Sequence, residues 1–300
     1  MPLVLLVAPA SHMLARQDDP KAPGVVPCAS RSKPTAITAI YVIHSYWSEQ
    51  RRDFAPALCK WFKENGGELA NVPCVLFPGY WATAATRDQV WDLVARRIVA
   101  PESHAQPQGW LTRLLYRLGI SGAAPLFDEQ ERVINPSYLG TAASHLLAVQ
   151  NWTLEMSRQQ VPSHERVDRH LLLFEDDAVV TRGGIESLRR SLPFLDKCYD
   201  VLALDSTDNF CASSRWVGAM HSLLLPRKWL RSPQLVPVRY SYSRNTGLAV
   251  SNKGALHLLS GLPVTREIDL WFRDLMTDQV LKTYVSCPRL VGSQGVPTVV

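Results

Sequence analysis

The chain has no C-x-x-C pair, and no histidine stands at zinc-finger spacing from a cysteine pair. That removes the sequence basis for a structural zinc site. It has no G-x-x-x-x-G-K-[ST] loop, so a P-loop does not cradle phosphate here. No dense Lys/Arg stripe interleaved with aromatics is present, which argues against nucleic acid as a partner. No apolar run is long enough to span a bilayer. The longest near the start is LVLLVAP at 3–9, and it lacks the basic flank of a secretory signal. Localisation therefore stays open between the secretory pathway and the cytoplasm. Six cysteines permit disulfides without requiring them. The formal charge of +5 is spread thinly, and fits a phosphate-bearing small molecule or an anionic surface.

What is present is a folding pattern. Residues 1–34, rich in Pro, Ser and charge, read as a tail or linker, and a single folded domain is expected over 35–300. Ala36–Ile43 has strand composition and reads as a first, central strand. Arg51 and Arg52 are expected to open a helix running to about Glu64, closed by Asn65-Gly66-Gly67. Val72–Phe77 follows as a second strand, placed at a sheet edge by Pro73. Strand, helix and strand in this order open an α/β domain with a mostly parallel, Rossmann-like sheet flanked by helices. Helices are expected at 87–99, from about 136 to 150, at 185–195, 253–259 and 270–276. Further strands are expected at 199–204, 220–225, 247–250 and 281–286. Ser251 is the expected N-cap of the helix after it, and Gly261 the glycine that ends that helix. Residues 101–130, with the amphipathic stretch 110–118, read as a mobile insertion of the kind that forms lids.

Leu171-Leu172-Leu173-Phe174 runs straight into Glu175-Asp176-Asp177. Four apolar residues make a buried strand, and its carboxylates would emerge where open α/β sheets bind ligands. Side chains alternate along a strand, so Glu175 and Asp177 are expected to share a side and Asp176 to point away. Hard oxygen donors of this kind suit Mg²⁺ or Mn²⁺. An acidic turn in water is the bland alternative. Asn151-Trp152-Thr153 is a glycosylation sequon, but it sits in a helical pattern.

Several pieces, in order, carry a family resemblance: AIYVIHSYWSEQRR, SYLGTAASHLLAVQ, LLLFEDDAVV, NTGLAVSNKGALHLLSGLPVTREIDLWF and LKTYVSCPRLVGSQ. With them the chain resembles glycosyltransferase family 25, which includes lipopolysaccharide-chain and procollagen galactosyltransferases. The resemblance implies a GT-A fold. It also implies transfer of galactose or glucose from a UDP-sugar to a hydroxyl of a glycan or glycoprotein acceptor. The transfer would be assisted by Mn²⁺ or Mg²⁺ and inverting. Glu175, Asp176 and Asp177 would form the metal motif, with Asp176 free to touch the ribose. His44, Arg51 and Arg52 would lie on the donor side. Asp269 falls where the family places an Asp and is the candidate general base, with helix capping as its other reading and Glu267 as runner-up. Asp205 and Asp208 follow a strand and read as turn residues or an acceptor wall. His145 reads as a buried, hydrogen-bonded histidine. Trp47, Trp216 and Trp271 read as core or as stacking faces for a sugar. The chain departs from the family at Ile43-His44-Ser45 and at Gly140-Thr141. The alternative is a catalytically inactive glycan- or protein-binding member of the same fold.

Overall fold

The computed structural model describes residues 36–103, 124–125, 136–159, 169–181, 183–191, 199–205, 234–237, 246–278, 280–287 and 289–294. The expected strand at 220–225, the stretch 110–118, Asp208 and Trp216 lie outside them. Strand β1 (Ala36–His44) leads through a turn to helix α1 (Phe54–Asn65) and strand β2 (Cys74–Pro78). Helix α2 (Arg87–Ala95) follows, then the short pair β3 (Glu102–Ser103) and β4 (Ala124–Pro125). Helix α3 (Pro136–Arg158) precedes strands β5 (Arg169–Phe174) and β6 (Ala178–Val180). Helix α4 (Gly184–Ser191), β7 (Val201–Ala203), β8 (Gln234–Pro237) and β9 (Gly247–Ser251) come next. Helices α5 (Asn252–Ser260) and α6 (Ile268–Thr277), then β10 (Thr283–Cys287) and β11 (Val291–Ser293), complete the order.

The main sheet has seven strands in the order β2-β1-β5-β9-β7-β10-β8. Strands β1, β2, β5, β7 and β10 run one way, while β8 and β9 oppose them. The sheet is therefore mixed, with its reversed strand β9 between β5 and β7. The central position belongs to β9 and not, as expected, to β1, which is interior but second from the edge. Strand β2 is the edge strand, as Pro73 implied. Alternation divides the sheet's side chains between two layers. Tyr41, Ile43, Leu171, Leu173 and Val250 pack beneath Leu146 and Trp152 of α3, Leu258 of α5 and Phe272 of α6. Ile40, Val42, Leu172 and Phe174 pack against Leu58 and Phe62 of α1 and Leu188 of α4. Burial on both faces explains why β5 reads as an unbroken apolar run.

Several boundaries differ from the sequence expectation for physical reasons. Helix α1 begins at Phe54, so Arg51 and Arg52 sit in the preceding turn. Helix α2 ends at Ala95, and Arg97 takes a left-handed φ of 59° just beyond it. Helix α3 runs two turns past Gln150, because residues 151–158 contain no Gly or Pro and Trp152 and Met156 extend its buried stripe. Ser251 does cap α5, its Oγ accepting from the Gly254 amide at 2.9 Å. Gly261 closes α5 at φ −79°, so the left-handed freedom of glycine is not used there. Within 101–130 only the β3–β4 pairing is described. Cys59 of α1 and Cys74 of β2 form a disulfide that ties the edge strand to its helix. The sequon asparagine is engaged: Asn151 Nδ2 donates to Tyr41 Oη and Glu155 Oε1, both at 3.0 Å.

Gly254 is required by packing. A Cβ on Gly254 would lie 2.0 Å from the Asp200 carbonyl oxygen. The Asp200 carboxylate, buried at the other end of the same contact, accepts from the Lys282 amide at 2.7 Å and faces His257 Nδ1 at 3.1 Å. Gly254→Ala is expected to lower stability by roughly 3 kcal/mol through overpacking. Urea denaturation measures it, and an unchanged midpoint would show that α5 slides freely over β7.

Candidate functional site

The apolar run of β5 ends at Phe174, so Glu175, Asp176 and Asp177 leave the sheet in a turn before β6. Strand alternation no longer governs them. Asp176 and Asp177 face the same guanidinium, which corrects the expectation that Asp176 points away. Arg51 Nη1 lies 3.1 Å from Asp176 Oδ1, and Nη2 lies 2.9 Å from Asp177 Oδ2. Arg51 reaches them because its turn follows β1, the parallel neighbour of β5. Ser293 of β11 donates from Oγ to Asp177 Oδ2 at 2.8 Å, and the Gln294 amide donates to the Asp177 carbonyl at 2.9 Å. The C-terminal segment thus braces the acidic turn, a contact that no local motif announces.

Arg51, the three carboxylates and Ser293 line a cavity of about 650 Å³ at the carboxyl ends of β1, β2 and β5. That size suits a small-molecule ligand. Ser45 and Trp47 enter it after β1, Tyr80 and Trp81 after β2, and Thr246 just before the reversed strand β9. Helix α3 contributes Ser144 and His145, and the start of α6 contributes Asp269, next to Glu267. Asp269 lies in the first turn of α6, whose N-cap position is Glu267. It is therefore not the cap that the sequence allowed. Trp47 and Trp81 stack in parallel with ring centres 5.8 Å apart, and Trp81 stays 46% exposed. Trp81 was not singled out by the sequence, since an exposed ring after an edge strand has no periodic signature. Trp271 is a core residue.

Other expected site residues stand elsewhere. His44 Nε2–H donates to the Arg52 carbonyl at 2.8 Å, and neither residue forms part of the cavity wall. Both sit beside the site and brace the turn that carries Arg51. Asp205 is fully buried and does not line the cavity. His145 is buried as expected, with Nδ1–H donating to the Thr141 carbonyl at 2.9 Å. That bond turns its Nε2 toward Glu175 Oε1, 3.7 Å away, so this histidine also faces the cavity.

The electrostatics are unbalanced. Glu175, Asp176, Asp177, Glu267 and Asp269 share the cavity with the cations Arg51 and Arg289. Burial pushes the Glu175 carboxyl up to about 8, with like charge from Asp177, Asp269 and Asp176 adding to it and Arg51 opposing. Burial also raises Asp176, against the hydrogen bond from Ser45 and the charge of Arg51. Among the described residues, no group of three His, Cys, Asp or Glu side chains is arranged to hold a metal ion. The donor set nevertheless fits a hard divalent cation. Asp176 Oδ2 and Asp177 Oδ1 are buried without a hydrogen-bond partner, and the surplus charge is negative.

Glu175 gives a pH prediction for the protein in chelator. The fold binds its proton more tightly than the unfolded chain does between 4.5 and about 8. Stability is then highest below this window and falls as pH rises through it. The side chain keeps 31% of its surface, and solvent screening holds the fall to about 1–2 kcal/mol. Urea denaturation at about pH 5 and about pH 8.5 should show the decline in the native protein and a flatter profile in Glu175→Gln. Equal slopes in the two proteins would assign the effect to other groups.

A scan against known protein families matches none of them, and a search of curated proteins finds no match. Among the described residues no helix is long and apolar enough to cross a membrane.

Proposed function

We propose that the protein is a glycosyltransferase of GT-A type, similar to family 25, that transfers a hexose from a UDP-sugar to a hydroxyl acceptor. One observation carries this reading. Three separated pieces of the resemblance, around Arg51, around Glu175–Asp177 and around Asp269, converge in one cavity at the carboxyl edge of the sheet. That edge is where open α/β sheets bind ligands.

In this reading Asp177, Asp176 and Glu175 hold a divalent cation. The cation, when bound, supplies electrostatic stabilisation of the charge that develops on the departing diphosphate. Arg51 and Arg289 add positive charge to the cavity lining. Asp269 accepts the proton of the acceptor hydroxyl as its oxygen forms a bond to C1 and the bond from C1 to the diphosphate oxygen breaks. The Trp81 face offers a surface for a sugar or base ring.

The inactive, binding-only reading draws support from Arg51, which already pairs two of the carboxylates. Calorimetry with a panel of UDP-sugars, with and without Mn²⁺, tests the first reading. Mn²⁺-dependent binding followed by UDP release is the expected result. Glycan binding without any nucleotide-sugar binding would favour the second, and no nucleotide-sugar binding refutes the first.

A further inference from the structure

Arg51 spans two carboxylates with one nitrogen on each, where the stronger arrangement would be a two-bond fork on a single carboxylate. The pairing is incomplete on both sides. Arg51 Nε, Asp176 Oδ2 and Asp177 Oδ1 are all buried without a partner. Asp176 is only 3% exposed, so its unused oxygen is not satisfied by bulk solvent. A buried ion pair with unused donors and acceptors is held by a narrow margin, because desolvation opposes the Coulomb attraction. The backbone around Arg51 is a turn, with its amide bonded to the Ser48 carbonyl at 3.1 Å and its carbonyl accepting from Phe54 at 3.0 Å. The side chain can change direction without unwinding α1.

We propose that Arg51 is an internal counter-ion that pairs with the carboxylates of Asp176 and Asp177 and turns to the diphosphate of the nucleotide when a divalent cation takes its place. This rests on the reading of the cavity as a metal-assisted nucleotide-sugar site. A cation at the two carboxylates removes the partners of Arg51 and repels it. A diphosphate gives the freed guanidinium a new anionic partner. Each ligand lowers the cost of binding the other, and the coupling is reciprocal by linkage. Arg51 is in this sense a positioning residue, and cation and nucleotide bind cooperatively through it.

The test measures Mn²⁺ affinity by calorimetry for the full chain, Arg51→Gln and Arg51→Lys, each without and with UDP. Without UDP, Arg51→Gln should bind Mn²⁺ about tenfold tighter than the native protein. UDP should tighten Mn²⁺ binding to the native protein by about tenfold more than it tightens binding to Arg51→Gln, where only the direct attraction of cation and diphosphate remains. Arg51→Lys keeps the charge without the fork, and should bind Mn²⁺ with intermediate affinity and keep part of the coupling. Circular dichroism checks that each variant folds. If Arg51→Gln does not fold, Arg51→Lys decides: native Mn²⁺ affinity with native coupling overturns the proposal. So does an Arg51→Gln protein that folds and binds Mn²⁺ no tighter, or whose UDP gain equals the native one. A native protein that binds neither Mn²⁺ nor UDP overturns the reading of the site as well.

Discussion

Asp177→Ala is expected to abolish Mn²⁺-dependent UDP-sugar binding and to lower turnover by about a thousandfold. Asp177 is the carboxylate most firmly set in place. Arg51 holds one oxygen at 2.9 Å, Ser293 donates to that same oxygen at 2.8 Å, and the Gln294 amide fixes its carbonyl at 2.9 Å. The other oxygen is buried and unpartnered. Removing the carboxylate also strips Arg51 of half its pairing, which costs about 3 kcal/mol or more of stability. Asp177→Asn separates the two effects, because an amide keeps the shape and can still accept from Ser293 while losing the charge. Isothermal calorimetry on Asp177→Asn, alongside a thermal melt, should show a folded protein with no cation-dependent binding. Native binding of the UDP-sugar with Mn²⁺ in that variant would end the proposal that Asp177 holds the cation.

The second large effect concerns Asp269. Asp269→Asn should lower kcat by about a hundred- to ten-thousandfold, the range a general base contributes. The UDP-sugar affinity should change little, since the residue acts on the acceptor's proton and not on the donor. Asp269 stands in the first turn of α6, whose N-cap position is Glu267. Separate measurement of donor Kd and of kcat decides the role. A parallel loss of donor affinity and rate would place Asp269 with the cation-holding carboxylates, which its repulsion of Glu175 makes the natural alternative.

Much of the layout was legible because burial and periodicity write it locally. The unbroken apolar run at Leu171–Phe174 marks a strand covered on both faces, and the Pro73 position marks an edge. Ser251 reads as a cap because the signal lies within four residues of the bond it makes. The reversed direction of β9 was not legible. Strand direction depends on which neighbours a segment finds, and its apolar sequence suits either orientation. The start of α1 was not legible either, because a basic pair reads equally well as a first helical turn or as the turn before it.

The acidic stretch Glu175–Asp177 shows the same division. By itself the sequence determined that three carboxylates follow a buried strand, and that arginines, histidines and a later aspartate lie at intervals along the chain. It determined which of them are anionic oxygen donors and which are cations, since that follows from residue type. Which of them meet was decided only by tertiary structure. The sheet order places β1 beside β5, and this brings Arg51, rather than Arg52 or His44, onto Asp176 and Asp177. Helix α3 carries His145 to Glu175, and β11 brings Ser293 back to Asp177 across 116 residues. Such contacts join segments with no shared period, so their geometry arises from packing and is not encoded near either partner.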